Sequence, residues 1–166
     1  AKLGGGGRVT AIHLGGGSPT LLTPEDLLGL KAKLAASFHI ADDVQISIEI
    51  DPNDLNEGRY DAMAQFCLTR ASIGVQDFDP RVQKAINRIQ SFEQTREVVE
   101  AMRSRGVSSV NLDLLYGLPF QTRIGLERTV EAALSLEPDR VTLFGYAHVP
   151  WMKPHQKMIP EEALPD

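Results

Sequence analysis

The chain has 166 residues, 42% hydrophobic and 23% charged, with a formal net charge of -5, enough for one globular core of ordinary composition. The acidic balance excludes a nucleic-acid partner, which needs a basic face, and no apolar run is long enough to cross a bilayer. The single cysteine, Cys67, cannot form an internal disulfide, and the glycine-rich start Ala1–Gly7 has no hydrophobic leader, so a reducing, cytoplasmic setting is expected.

In chain order, the Gly4–Gly7 run reads as a flexible loop and Val9–Leu14 as the first strand. Thr23 then reads as an N-cap with Pro24 at the first helical position and Glu25 and Asp26 in the first turn; Leu27, Leu30 and Leu34 repeat at helical spacing. Val44–Ile50 is a second strand, Asp54–Phe66 a weaker helix and Arg70–Val75 a third strand. Pro80 opens a helix carrying Val82, Ala85 and Ile86. Ser91-Phe92-Glu93-Gln94 reads as a capping box ahead of Val98, Val99 and Met102, and Gly106 ends that helix. Val107–Leu115, a helix from about Gly125 to Leu136, and Arg140–Tyr146 follow. The tail from His148 holds four of the ten prolines and reads as irregular. No internal domain boundary is expected over 1–166. Five strands alternating with helices predict an α/β fold with a parallel sheet. An open doubly wound sheet and part of a β/α barrel both fit.

Strands of a parallel sheet covered on both faces are nearly all apolar, and these are not. In Ile46–Asp51 the isoleucines share one face and Ser47, Glu49 and Asp51 the other. Ser72, Gly74 and Gln76 line one face of the next strand, and Asn111 and Asp113 one face of the strand after it. One solvated sheet face accounts for any single strand; three together favour a barrel lumen holding a polar ligand, with the polar residues at the carboxyl ends where β/α folds bind ligands.

Single residues are less informative. Gly15-Gly16-Gly17-Ser18-Pro19-Thr20 follows the first strand and could offer N–H donors to a close ligand, but it matches neither established phosphate-binding glycine pattern, and a tight turn is the simpler reading. His13, His39, His148 and His155 have no metal-ligand spacing, and one cysteine holds neither zinc nor an iron–sulfur cluster. His13 reads as a packed, hydrogen-bonded residue, Cys67 as buried and inert, Asp77 and Asp79 as caps of the following helix, and Arg88 as a surface charge at a helix end.

Taken together, His13–Thr20, Glu49-Ile50-Asp51-Pro52, Gly74-Val75-Gln76-Asp77-Phe78, Asn87-Arg88-Ile89-Gln90, Asp113–Pro119 and Tyr146–Pro150 resemble, in order, the oxygen-independent coproporphyrinogen III oxidases, radical S-adenosylmethionine (SAM) enzymes of haem synthesis. The resemblance implies a portion of a partial β/α barrel of about five parallel strands, and decarboxylation of two propionates of a porphyrinogen substrate to vinyl groups. It implies two SAM molecules, a [4Fe–4S] cluster and an electron donor. By position it assigns Gly16 and Glu49 to the cluster-bound SAM, and Gly17, Ser18, Gln76, Arg88, Asp113 and Ala147 to a second one. The family's CxxxCxxC loop is absent, so the chain is expected to begin just beyond it, as an incomplete domain without cluster ligands and inactive alone. The parent is expected to be a monomer, whereas the exposed sheet edges of an incomplete barrel favour self-association. Phe66-Cys67-Leu68 stands where the family has a glycine-containing link. A haem chaperone of the same superfamily shares the glycine turn and the Tyr-Gly-Leu-Pro block, but Asp51, Asp77, Ile89-Gln90 and the Ala147–Gln156 tail resemble the oxidase more. A metal-free β/α scaffold is the third reading.

Overall fold

The computed structural model describes residues 7–165; of the glycine run expected as a loop, Gly4–Gly6 lie outside the described residues. Five strands, β1 (Arg8–Leu14), β2 (His39–Ile50), β3 (Arg70–Gln76), β4 (Ser109–Tyr116) and β5 (Arg140–Gly145), alternate with helices α1 (Pro24–Ser37), α2 (Glu57–Phe66), α3 (Pro80–Ala85), α4 (Phe92–Ser104) and α5 (Arg123–Leu134). All neighbouring strands are parallel, in the order β1-β2-β3-β4-β5. A doubly wound sheet reverses its strand order partway; this unbroken succession is the arrangement of a β/α barrel wall, which settles the choice that periodicity left open.

The helices cover one face. Ile46, Ile48 and Ile50 of β2, Ala71, Ile73 and Val75 of β3, and Val110, Leu112 and Leu114 of β4 are buried against Leu27, Met63, Phe66, Val98, Met102 and Ala133 from the helices. Each fully buried Ile or Leu contributes about 1.5–3 kcal/mol. Alternation along the strands leaves the polar set facing the other way, into the concave side.

Local chemistry sets the element ends. The Thr23 hydroxyl accepts from the Asp26 N–H at 3.1 Å, as its sequence position predicts. The second helix starts later than expected: Pro52–Asp54 forms a 3-10 turn, and Asn56 rather than Asp54 caps α2, accepting from Arg59 N–H. The capping box is half made. Ser91 accepts from Gln94 N–H, but the Gln94 side chain donates to Pro52 C=O and Asn53 Oδ1 and so ties α4 to the loop after β2. Strand β2 extends back to His39, because Arg8 and Val9 continue the β1 ladder across a bulge. Thr122 caps α5, which runs two residues ahead of the expected range.

Cys67 corrects the sequence reading. It is exposed, and as the C-cap of α2 it adopts φ 68°, ψ 45°. The link that departs from the glycine-containing one the resemblance implies therefore does need a left-handed backbone, and a cysteine occupies it. Its sulfur lies 3.3 Å from Lys31 Nζ.

Candidate functional site

The polar residues converge where the strands end. A cavity of about 230 Å³ at the carboxyl ends of β1–β4 is lined by Gly17, Ser18, Glu49, Asp51, Gln76, Arg88 and Asp113, among others. A second of about 330 Å³ runs down the concave face past His13, Asn111, Arg140 and Thr142, and shares Glu49, Ser72 and Asp113 with the first.

The glycine turn after β1 is built for close approach. Gly16 and Gly17 have φ +78° and +128°, and a Cβ on either would point into open space. Gly15 is constrained differently: its Cβ would lie 2.5 Å from His13 Nε2 and 2.8 Å from Glu49 Oε1. Glu49 accepts from Gly16 N–H at 3.3 Å and lies 3.3 Å from His13 Nε2, while His13 Nδ1 lies 2.9 Å from Ser47 Oγ. His13 is therefore hydrogen-bonded as expected, but it is exposed on the concave face rather than packed. The Ser18 hydroxyl donates to Asp54 Oδ2 at 2.6 Å and Thr20 to the same oxygen at 3.2 Å, which pins the turn to the loop after β2.

Arg88 is not a surface charge. Its side chain is 25% exposed; Nη1 is 2.9 Å from Asp51 Oδ2 and Nη2 donates to Gly74 C=O at 3.1 Å. Nε is buried with no partner in the protein, and a buried unpaired donor calls for a ligand or water acceptor. Asp113 accepts from Ser72 Oγ and from Asn111 Nδ2, both at 2.7 Å. Asn111 Oδ1 in turn accepts from Thr142 Oγ1 and Arg140 Nε, a chain of hydrogen bonds across three strands that fixes the carboxylate.

The cavity thus gathers Gly17, Ser18, Glu49, Gln76, Arg88 and Asp113, with Gly16 beside it. Ala147 is not among its lining residues: it is exposed after β5, its carbonyl accepting from Gln156 Nε2 at 3.0 Å. Nearby, burial pushes the Tyr146 phenol above its ordinary value, so it is protonated at neutral pH. Sequence reasoning placed Asp51 and Ser72 on the polar faces without assigning them a role, and alternation was the cue to both. It missed Asp54, whose role depends on a turn from another strand. It also took Asp77 for a cap; Asp79 caps α3, accepting from Arg81 and Val82 N–H, while Asp77 is fully buried.

Among the described residues no three His, Cys, Asp or Glu side chains come together to hold a metal, and one cysteine cannot ligate a cluster through three thiolates. The residues present do not fit a [4Fe–4S] cluster. They do fit an amino-acid nucleoside such as SAM. The open glycine turn and the Arg88 guanidinium suit its carboxylate, and Glu49 and Asp113 suit its ammonium and ribose hydroxyls.

A sequential parallel β/α wall with such a pocket at its carboxyl edge is the architecture of a cofactor-binding barrel, and a model of the radical SAM superfamily matches residues 1–133; the chain belongs to that superfamily, whose members use SAM and a [4Fe–4S] cluster. It is 51% identical over 166 residues to the oxygen-independent coproporphyrinogen III oxidase of Paracoccus denitrificans, covering 100% of this chain and 37% of that protein. It is 50% identical over 159 residues to the protein of the same name from Bradyrhizobium diazoefficiens, covering 96% and 35%. The structure of coproporphyrinogen III oxidase from Escherichia coli, described as a radical SAM enzyme, superposes with a TM-score of 0.92 at 36% identity, covering 96% of this chain and 37% of that one. The chain spans a little over one third of the length of these relatives. No helix among the described residues is long and apolar enough to cross a membrane.

Proposed function

We propose that the protein carrying this chain performs oxygen-independent oxidative decarboxylation of coproporphyrinogen III in the cytoplasm, with an external electron donor, and that this chain forms the central part of one catalytic barrel. The observation that carries the reading is the convergence of open glycines, Glu49, Arg88 with its unpaired Nε, and Asp113 on one pocket at the carboxyl ends of four strands. The names of the relatives, all oxidases in the cases above, support decarboxylation over haem transfer.

In this reading Gly16 and Glu49 contact the SAM molecule nearer the cluster. Gly17, Ser18, Gln76, Arg88 and Asp113 hold a second. SAM, when bound, supplies the 5′-deoxyadenosyl group for hydrogen abstraction. The chain's own residues bind and orient: Arg88, braced by Asp51, presents its guanidinium at the cavity wall for a carboxylate, and Asp113, held by Ser72 and Asn111, keeps free lone pairs for an ammonium or hydroxyl.

Calorimetric titration with SAM tests the pocket. Binding by the chain, weakened at least about tenfold by Asp113→Ala, supports it; equal binding by both proteins sinks it. The activity is tested in the complete protein under anaerobic conditions with reductant, where carbon dioxide release from coproporphyrinogen III is expected. The isolated chain is expected to give none.

A further inference from the structure

We infer that Asp77 is a positioning residue for the cofactor pocket, holding Gln76 in a left-handed turn that aims its carboxamide into the cavity; the inference rests on reading that cavity as the second SAM pocket. Gln76 ends β3 on the face it shares with Ser72 and Gly74 by alternation, and lines the cavity with them. The ladder to β4 slips at this point, so that Gln76 rather than Val75 stands opposite Leu114, and Gln76 takes φ +68°. The turn is closed by Asp77 N–H donating to Val75 C=O at 2.9 Å. A γ-turn with positive φ at its centre is strained for a residue bearing a Cβ and persists only when its surroundings hold it.

Asp77 supplies that hold. It is 0% exposed, and its carboxylate is saturated from three directions. Oδ1 accepts from Asp79 N–H at 2.7 Å and from the Thr129 hydroxyl of α5 at 2.9 Å, and Oδ2 accepts from Gln121 Nε2 at 2.6 Å. Its carbonyl accepts from Gln83 Nε2 of α3 at 2.9 Å. A buried carboxylate is stable only with such donors. Gln121 extends the anchor: its Oε1 accepts from Gly117 and Leu118 N–H and its Nε2 donates to Leu115 C=O. The residue before the anchor is the one whose backbone takes the positive-φ turn at the edge of the pocket. Capping does not explain Asp77, since Asp79 already caps α3.

The test is a mutant cycle in the complete, cluster-loaded protein, read by anaerobic calorimetry with SAM and by amide hydrogen exchange at residue 77. Asp77→Asn keeps the shape but turns one acceptor into a donor facing Thr129 or Gln121. It is expected to weaken second-site SAM binding about tenfold, leave first-site binding unchanged and speed exchange at the residue 77 amide. Gln76→Ala is expected to give a similar loss, and the double variant no more than the larger single loss. Thr129→Val, a milder change that serves if Asp77→Asn does not fold, is expected to move affinity and exchange in the same direction, and Thr129→Ser to restore both. Unchanged second-site affinity in Asp77→Asn and Thr129→Val, or losses that add to that of Gln76→Ala, would overturn the inference. Failure of the pocket reading looks different: Gln76→Ala and Asp113→Ala then leave SAM binding unchanged, while faster exchange at residue 77 still supports Asp77 as the anchor of the turn.

Discussion

At the scale of the residue, the site depends on short side chains being held by their neighbours. Gly15 shows the tolerance. A methyl group there would overlap the ends of His13 and Glu49, both of which can swing away, so Gly15→Ala is expected to cost less than about 1 kcal/mol of stability. The swing, however, takes Glu49 off the Gly16 N–H. Urea denaturation should therefore look nearly unchanged while SAM titration shows weaker binding; unaltered binding would mean that Glu49 has no part in it. Arg88 marks where reading residues one at a time runs out. Its position after a short helix suggests solvent, and only the fold puts its guanidinium between Asp51 and Gly74, elements far apart in the chain. Glu49 and Asp113 were legible because alternation along a strand determines the face of a side chain directly.

At the scale of the element, helix starts were largely readable because caps act over three or four residues: Thr23, Ser91 and Pro80 stand where the pattern placed them. Misreadings fall where a side chain finds a distant partner. Asp54 turns to Ser18 and Thr20 instead of opening α2, and Gln94 reaches Pro52 instead of closing its own box. The end of α2 gives a prediction of its own. Cys67 is left-handed and exposed, a conformation costing a residue with a Cβ about 1–2 kcal/mol, of which glycine's greater unfolded-state entropy returns part. Cys67→Gly is expected to stabilise the protein by about 0.5–1 kcal/mol, measured as a higher urea midpoint with an unchanged slope. A lower midpoint would show that the Lys31–Cys67 contact outweighs the backbone cost.

At the scale of the whole molecule, the five-stranded wall has two edges, β1 and β5. On β5, Leu143 and Phe144 are 47% and 53% exposed, and a strand edge with apolar side chains is a template for pairing. The chain by itself is expected to sediment above its monomer mass at tens of micromolar or so, and Leu143→Lys to return it toward monomer; a concentration-independent monomer would show that the edges are harmless. The succession of strands and helices, the apolar and polar face of each strand and the helix caps were determined by the sequence alone, because they follow from periods of 2 and 3.6 residues and from hydrogen bonds between near neighbours. Tertiary structure alone decided the strand order that curls the sheet, the burial of Asp77, the positive-φ backbone of Gln76 and the bracing of Arg88. Each of these depends on donors and acceptors brought together from separate crossovers, and no local period encodes which crossover lies beside which.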